Sequence, residues 1–257
     1  MAIISSISLG KVRKSLGNVT LQHYYGKTVA KQKILRNPSY VPTTAQTKQR
    51  DRMKFAFQLM NTFDGLADLL FVRSKWGTKR NNFLKLNYPA FAAYFNDTES
   101  PIIPLQGNVV SLLWLMQSHM ITYGVPCYVA KGRDAGVSAV WARGQYADGV
   151  TPVTLSLSIT DALYTKIKVR LLSLFANTDV TPYTAQTPLK SSEWYDMTLQ
   201  NGIWTMPATT ISIAHTTIGN ACVIAQIMID DMPATINLQG TTLGGDGAFA
   251  FLQLPVQ

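Results

Sequence analysis

The chain has 257 residues and a formal net charge of +9, yet only 14% of its residues are charged, against roughly a quarter in an ordinary soluble domain. With 47% apolar residues it is too hydrophobic to be disordered, and 17 Gly, 12 Pro and two Cys exclude collagen-like, low-complexity and disulfide-stapled classes. A surface so poor in charge fits a subunit that hides much of itself in an assembly, because interface cores are depleted of charge.

The charge is divided unevenly. Residues 1–94 hold 16 Lys+Arg and three acids, a local +13, while residues 95–257 hold seven Lys+Arg and 11 acids, a local −4. Such asymmetry points to two parts with different partners, the basic part being drawn to nucleic acid or to an acidic protein face. A solvated basic surface explains the scattered lysines equally well.

From the start of the chain, residues 3–36 alternate loosely between apolar and polar, with breaks at Gly10, Gly17-Asn18 and Gly26-Lys27. This predicts short antiparallel strands, a basic meander or arm. Asn37-Pro38 and Val41-Pro42 force extended backbone. Thr43, with Gln46 three residues on, then matches a capping box, and Phe55, Leu59, Phe63, Leu66 and Leu70 follow at helical spacing, predicting a helix over 44–73. Its first turns carry Lys48, Arg50, Arg52 and Lys54, an unfavourable sign for the helix dipole. That conflict suggests that these cations serve a contact. A second helix is expected over 79–93, interrupted by Pro89, and the two would pair as a helical hairpin.

A loop at 96–104 marks the expected boundary. Beyond it the spacing predicts strands at 109–116, 125–129, 137–142, 153–159, 166–175, 203–206, 210–215, 221–229 and 235–238. Lys166–Leu171 alternates cleanly, as in a strand with one buried face. The expected class is α+β, mainly β: basic N-terminal strands and a helical hairpin over 1–100, an immunoglobulin-like β-sandwich over 101–240 and a C-terminal arm over 241–257. The charge-free stretches 101–130 and 197–229 are interrupted by Pro, Gly and Thr, so neither reads as a membrane span. The first 13 residues show no basic region before an apolar stretch, so no export signal is expected.

Little catalytic chemistry is legible. His23, His119 and His215 stand apart, with no metal-ligand spacing, and Cys127 and Cys222 sit in apolar runs as buried thiols. No nucleophile elbow, phosphate loop or dinucleotide fingerprint occurs. Asp230-Asp231 is better read as a turn than as a carboxylate pair, and Asp148-Gly149 and Asp246-Gly247 are turn signals.

One cluster is specific. Gly10-Lys11-Val12-Arg13-Lys14-Ser15-Leu16-Gly17-Asn18-Val19 is followed by Tyr25-Gly26-Lys27-Thr28-Val29-Ala30-Lys31, then by Arg36-Asn37-Pro38 and Pro42-Thr43-Thr44-Ala45-Gln46, with Arg50 one turn later. Asn82-Phe83 and Asn87 complete the order. This resembles an uncharacterised family of Bacteroidota and their phages, and looks like virion proteins of crAss-like phages, in particular neck or tail ring proteins. The resemblance covers about residues 8–90.

It implies a non-enzymatic virion structural protein without cofactor or metal, a ring-forming homo-oligomer that meets other tail or neck proteins and genomic DNA in transit. Lys11, Arg13, Lys14, Lys27, Lys31, Lys33, Arg36, Gln46, Arg50, Arg52 and Lys54 are the candidate assembly or DNA-facing residues. Two alternatives stand beside it. One is a nucleic-acid-binding module over 11–54, with Tyr24, Tyr25 and Tyr40 stacking on bases. The other is a glycan-binding sandwich using Trp194, Tyr195 and Trp204.

Overall fold

The computed structural model describes residues 2–4, 15–16, 19–24, 27–32, 41–75, 77–145, 147, 150–160, 163–175, 189–214, 221–238 and 251–254. The chain divides into two compact units, Met1–Thr47 and Lys48–Gln257.

The first unit contains β1 (Ala2–Ile4), β2 (Ser15–Leu16), β3 (Val19–Tyr24) and β4 (Lys27–Gln32). They form an antiparallel sheet in the order β1-β4-β3-β2. Leu16 pairs with Val19 and Tyr24 with Lys27, which places the strand ends beside the expected glycine breaks.

α1 (Thr44–Thr62) starts at the end of this unit and continues into the second. It is followed by α2 (Asp64–Leu70) and α3 (Lys79–Asp97). The single helix expected over 44–73 is therefore two. Phe63 closes α1 through its N–H to Leu59 O, and its carbonyl accepts from Leu66 and Ala67 to open α2. α2 stops at Leu70 because the next residues join a strand: Lys131 N–H donates to Leu70 O, and Val72 N–H donates to Lys131 O. α3 runs through Pro89 instead of breaking there. Proline deprives the carbonyl of Lys85 of its donor, and both residues are exposed, so water replaces it.

The helices pack through aromatic rings. Phe63 stacks on Phe83 at 4.3 Å, and Phe71 meets both rings edge-on. Phe55 packs against Tyr94 and Phe95. Asn82 and Asn87 in α3 each serve backbone elsewhere. Asn82 Nδ2 donates to Val72 O at 3.0 Å. Asn87 accepts from Tyr128 N–H at 2.6 Å and donates to Tyr128 O at 2.9 Å, as a neighbouring strand residue would.

Residues 109–116, expected as a strand, form α4 (Val109–Ser118). Asn108 caps it by accepting from Ser111 N–H at 3.0 Å. Val109 to Leu113, Leu115 and Met116 are all buried, leaving Trp114 and Gln117 half-buried and Ser118 exposed, and a helix so nearly enclosed shows little polar alternation to distinguish it from a buried strand. Then come β5 (Tyr128–Ala130), β6 (Gly136–Arg143), β7 (Val150–Thr160), β8 (Ile167–Phe175), β9 (Leu189–Ser191), β10 (Tyr195–Asp196) and β11 (Thr198–Gln200). The last are β12 (Ile203–Ala214), β13 (Ala221–Ile229), β14 (Met232–Pro233), β15 (Ile236–Asn237) and β16 (Phe251–Leu254).

The strands expected at 203–206 and 210–215 are one strand, β12. The register of β12 against β7 shifts between Met206 and Thr209, which lets Pro207 sit in a bulge. His215, Asp148-Gly149 and Asp246-Gly247 lie outside the described residues.

Two larger antiparallel sheets result, one ordered β11-β12-β7-β6 and one ordered β10-β8-β13-β14, with β9 beside β8 and β16 beside β13. Phe251–Leu254, in the expected C-terminal arm, thus pairs with β13 of its own chain. In β7, Val153, Leu155, Leu157 and Ile159 are buried, while the residues between them are half-buried or exposed. β13 is different, being buried on both faces from Cys222 to Ile227. One face meets the helices, since Gln226 Nε2 donates to Leu69 O at 2.7 Å.

Helices and strands contribute to one hydrophobic cluster, so the expected boundary at 96–104, which begins in the last turn of α3, joins elements of a single mixed α+β unit. Among the described residues no helix is long and apolar enough to cross a membrane.

Candidate assembly and nucleic-acid interface

The candidate surface is built on α1. Gln46 N–H donates to Thr43 Oγ1 at 3.3 Å, and Thr43 N–H donates to Gln46 Oε1 at 3.1 Å. This is the reciprocal capping box, and it gives Gln46 a place in fixing the helix start. Phe55, Ala56, Leu59 and Met60 turn inward, so the cations of the first turns are carried toward water. Lys48, Arg50 and Lys54 are exposed.

Arg52 is held against the protein. Its Nη1 donates to Gln49 Oε1 at 3.2 Å and its Nη2 to Asn96 Oδ1 at 2.8 Å, which ties α1 to the end of α3. Gln49 in turn donates to the Tyr88 hydroxyl at 3.3 Å. Beside this bridge lies an open groove of about 550 Å³, lined by Met53 and Phe57 of α1 and by Asn81, Leu84, Lys85 and Tyr88 of α3. Phe57 is 44% exposed. The exposed side of α1 therefore offers cations next to apolar surface. That combination attracts an anionic partner at long range and buries apolar area on contact.

In the first unit, Lys31 is exposed on β4 and Lys27 is the first residue of that strand. Lys11, Arg13, Lys14, Lys33 and Arg36, like Tyr25 and Tyr40, lie outside the described residues. The groove is not legible in the sequence, because it depends on how α1 crosses α3. Also unforeseen was a cavity of about 660 Å³ lined by Asn61, Thr62, Leu66, Leu105, Val109 and Leu174, among others. Two of its polar side chains are engaged elsewhere: Asn61 accepts from Arg80 at 2.7 Å, and the Thr62 hydroxyl donates to Gln58 O.

Several other titratable groups are buried or tied to the backbone. Burial pushes the Cys127 thiol up to about 12 and raises the Cys222 thiol well above its ordinary value, which makes both poor nucleophiles. His119 follows α4, its ring edge-on to Trp114 at 5.1 Å. Asp230 and Asp231 form a turn in which both residues have positive φ, 46° and 63°. Asp230 Oδ1 accepts from the Thr165 hydroxyl and from the N–H groups of Thr165 and Lys166. The Thr165 hydroxyl above all holds this carboxyl below its ordinary value. Among the described residues no group of three or more His, Cys, Asp or Glu comes together.

The three aromatics proposed as a sugar platform are separated by environment. Trp204 is buried on β12, whereas Trp194 is 40% exposed with the Arg170 guanidinium 4.6 Å above its ring. Tyr195 is half-buried on β10.

No protein-family model matches the chain, and no curated protein matches it in sequence. Solved structures show faint likeness only. A protein assigned as ApaA from Bordetella pertussis is 10% identical with a TM-score of 0.28, covering 49% of this chain and 98% of its own. The curli protein CsgC of E. coli is 10% identical with a TM-score of 0.24, covering 40% of this chain and 99% of its own. β-Glucuronidase 2 of Bacteroides uniformis is 11% identical with a TM-score of 0.24, covering 38% of this chain and 12% of its own. Likeness of this degree carries nothing about function.

Proposed function

We propose that the chain is a non-enzymatic virion structural protein, a subunit of an oligomeric neck or tail ring that is assembled in the bacterial host cytoplasm. The observation that carries this reading is the exposed cationic side of α1, with Lys48, Arg50 and Lys54, beside an apolar groove on a chain otherwise poor in charge. The N-terminal motif order supports it. The two larger antiparallel sheets, which contribute to one hydrophobic cluster, support an immunoglobulin-like sandwich for the C-terminal part. Copies would meet through a heterologous interface that closes by rotation, and the basic surface would face a neighbouring tail or neck protein or DNA in transit. Native mass spectrometry and negative-stain images of the purified chain test this. A closed ring is expected, and a chain that stays monomeric at high concentration and is missing from virions overturns it.

A second reading, nucleic-acid binding through residues 11–54, is favoured by the exposure of Lys31, Lys48, Arg50 and Lys54. It predicts affinity whose logarithm falls linearly with the logarithm of salt concentration. A filter-binding titration with no retention at low salt removes it.

A further inference from the structure

β6 is the outermost strand of its sheet. β7 pairs with one side of it, and among the described residues no strand pairs with the other. It is eight residues long, whereas the other strands at sheet edges, such as β1, β2, β11, β14 and β16, have two to four. Natural proteins blunt open edges with lysine, proline, bulges or short length. β6 contains neither lysine nor proline, its one charged residue is Arg143 at its end, and it pairs with β7 without a register shift.

The ladder shows which groups are free. Gly144 N–H donates to Pro152 O, and bonding alternates along an antiparallel pair. Ser138, Val140 and Ala142 therefore direct their backbone groups to β7, and Ala139 and Trp141 direct theirs to the open edge. The side chains alternate the other way: Ala139 and Trp141 are buried, while Ser138, Val140 and Ala142 are exposed, Val140 to 58%.

We infer that the open edge of β6 pairs antiparallel with β6 of a second copy, about a two-fold axis at Val140. The occupant follows from charge and register. Two copies that each carry +9 repel, so contact between them is easiest where charge is absent. Residues 136–142 carry none, and neither do Ser156, Ser158 and Thr160 beside them on β7, while Arg143, which ends β6, falls opposite the uncharged Val137 at the rim of the pairing. With the axis at Val140, Ala139 of one copy lies opposite Trp141 of the other, and these residues exchange the backbone hydrogen bonds that the edge leaves open. Val140 then faces its own image in a non-hydrogen-bonded pair, the arrangement that brings side chains closest. Ser138 lies opposite Ala142. A two-fold contact closes on itself, whereas a larger ring needs a heterologous one. The inference thus goes beyond the ring proposal and does not rest on it; the edge joins two free copies or two rings back to back.

Cysteine crosslinking of the full chain tests it. Cβ atoms of opposed residues lie about 4.5–5.5 Å apart, close to disulfide reach, and the native thiols Cys127 and Cys222 are buried. Val140→Cys is expected to give a disulfide-linked dimer on mild oxidation, well ahead of the exposed β7 control Ser156→Cys. Ser138→Cys combined with Ala142→Cys is expected to crosslink, and Ser138→Cys alone is not. Val140→Lys places like charges on the axis and is expected to weaken dimerisation on the order of tenfold with an unchanged circular dichroism spectrum. Crosslinking of Val140→Cys no faster than of Ser156→Cys overturns the inference. So does a wild-type chain showing no species larger than a monomer across micromolar concentrations.

Discussion

Among the described glycines, Gly132 leaves the least room for a side chain. Its backbone crosses the 233–235 segment so closely that an added Cβ would lie 1.8 Å from Pro233 O and 2.8 Å from Pro233 C. Its φ is outside the left-handed region, so the Gly132→Ala penalty is steric. Relief requires the two segments to part by more than an ångström. Four hydrogen bonds hold them: Arg133 N–H to Pro233 O at 2.9 Å, Thr235 N–H to Arg133 O at 2.7 Å, Gly132 N–H to Thr235 Oγ1 at 3.2 Å, and the Thr235 hydroxyl to Gly132 O at 3.1 Å. Parting by that much breaks at least two of them, at about 1 kcal/mol each, with further cost for buried groups left without partners. The expected loss is about 2–4 kcal/mol. At about 2–4 °C per kcal/mol for a chain of this size, the melting temperature falls by about 5–15 °C. Gly65→Ala is the control: nothing lies within 4 Å of its added Cβ, and alanine favours the α2 helix by up to about 1 kcal/mol. Thermal unfolding followed by circular dichroism measures both. A Gly132→Ala variant that melts within a degree of the parent refutes the close approach.

Other variants probe other contacts. Thr43→Ala removes half of the capping box and is expected to cost about 1 kcal/mol, seen as faster amide exchange in the first turn of α1. Gln226→Leu removes the donor to Leu69 O and the acceptor for Arg170 Nε. It is expected to cost about 1–3 kcal/mol in urea unfolding and to change the fluorescence of Trp194, against which Arg170 packs. The Asp230 carboxyl is held below its ordinary value, so its contribution is present above the unfolded pKa of about 3.9 and is lost as pH falls through the folded value. Asp230→Asn keeps the acceptor and tolerates positive φ but does not titrate. Its stability is expected to decline less steeply than the parent's between about pH 4 and pH 2, as measured by urea midpoints; equal slopes count against the assigned role.

Local chemistry determined several features by itself. The Thr43–Gln46 cap and the spacing of Phe55 and Leu59 define α1, and the alternation of residues 166–171 defines β8, because both depend on neighbours three or four residues, or two residues, away. The Asp230-Asp231 turn was legible for the same reason. The Asn201-Gly202 hairpin between β11 and β12, with φ of 50° and 79°, is likewise encoded locally in its Asn-Gly pair. Tertiary structure decided the rest. α2 ends at Leu70 because Lys131, sixty residues on, takes the next backbone groups into a strand pairing. α4 is a helix because a largely buried apolar run satisfies its backbone internally when Asn108 caps it. The fate of the cations also depended on long-range partners. Arg50 and Lys54 remain exposed, while Arg52, on the same helix, is held by Asn96 of α3. The sequence could locate the charge, but only the crossing of two helices determined which charge is available to a partner.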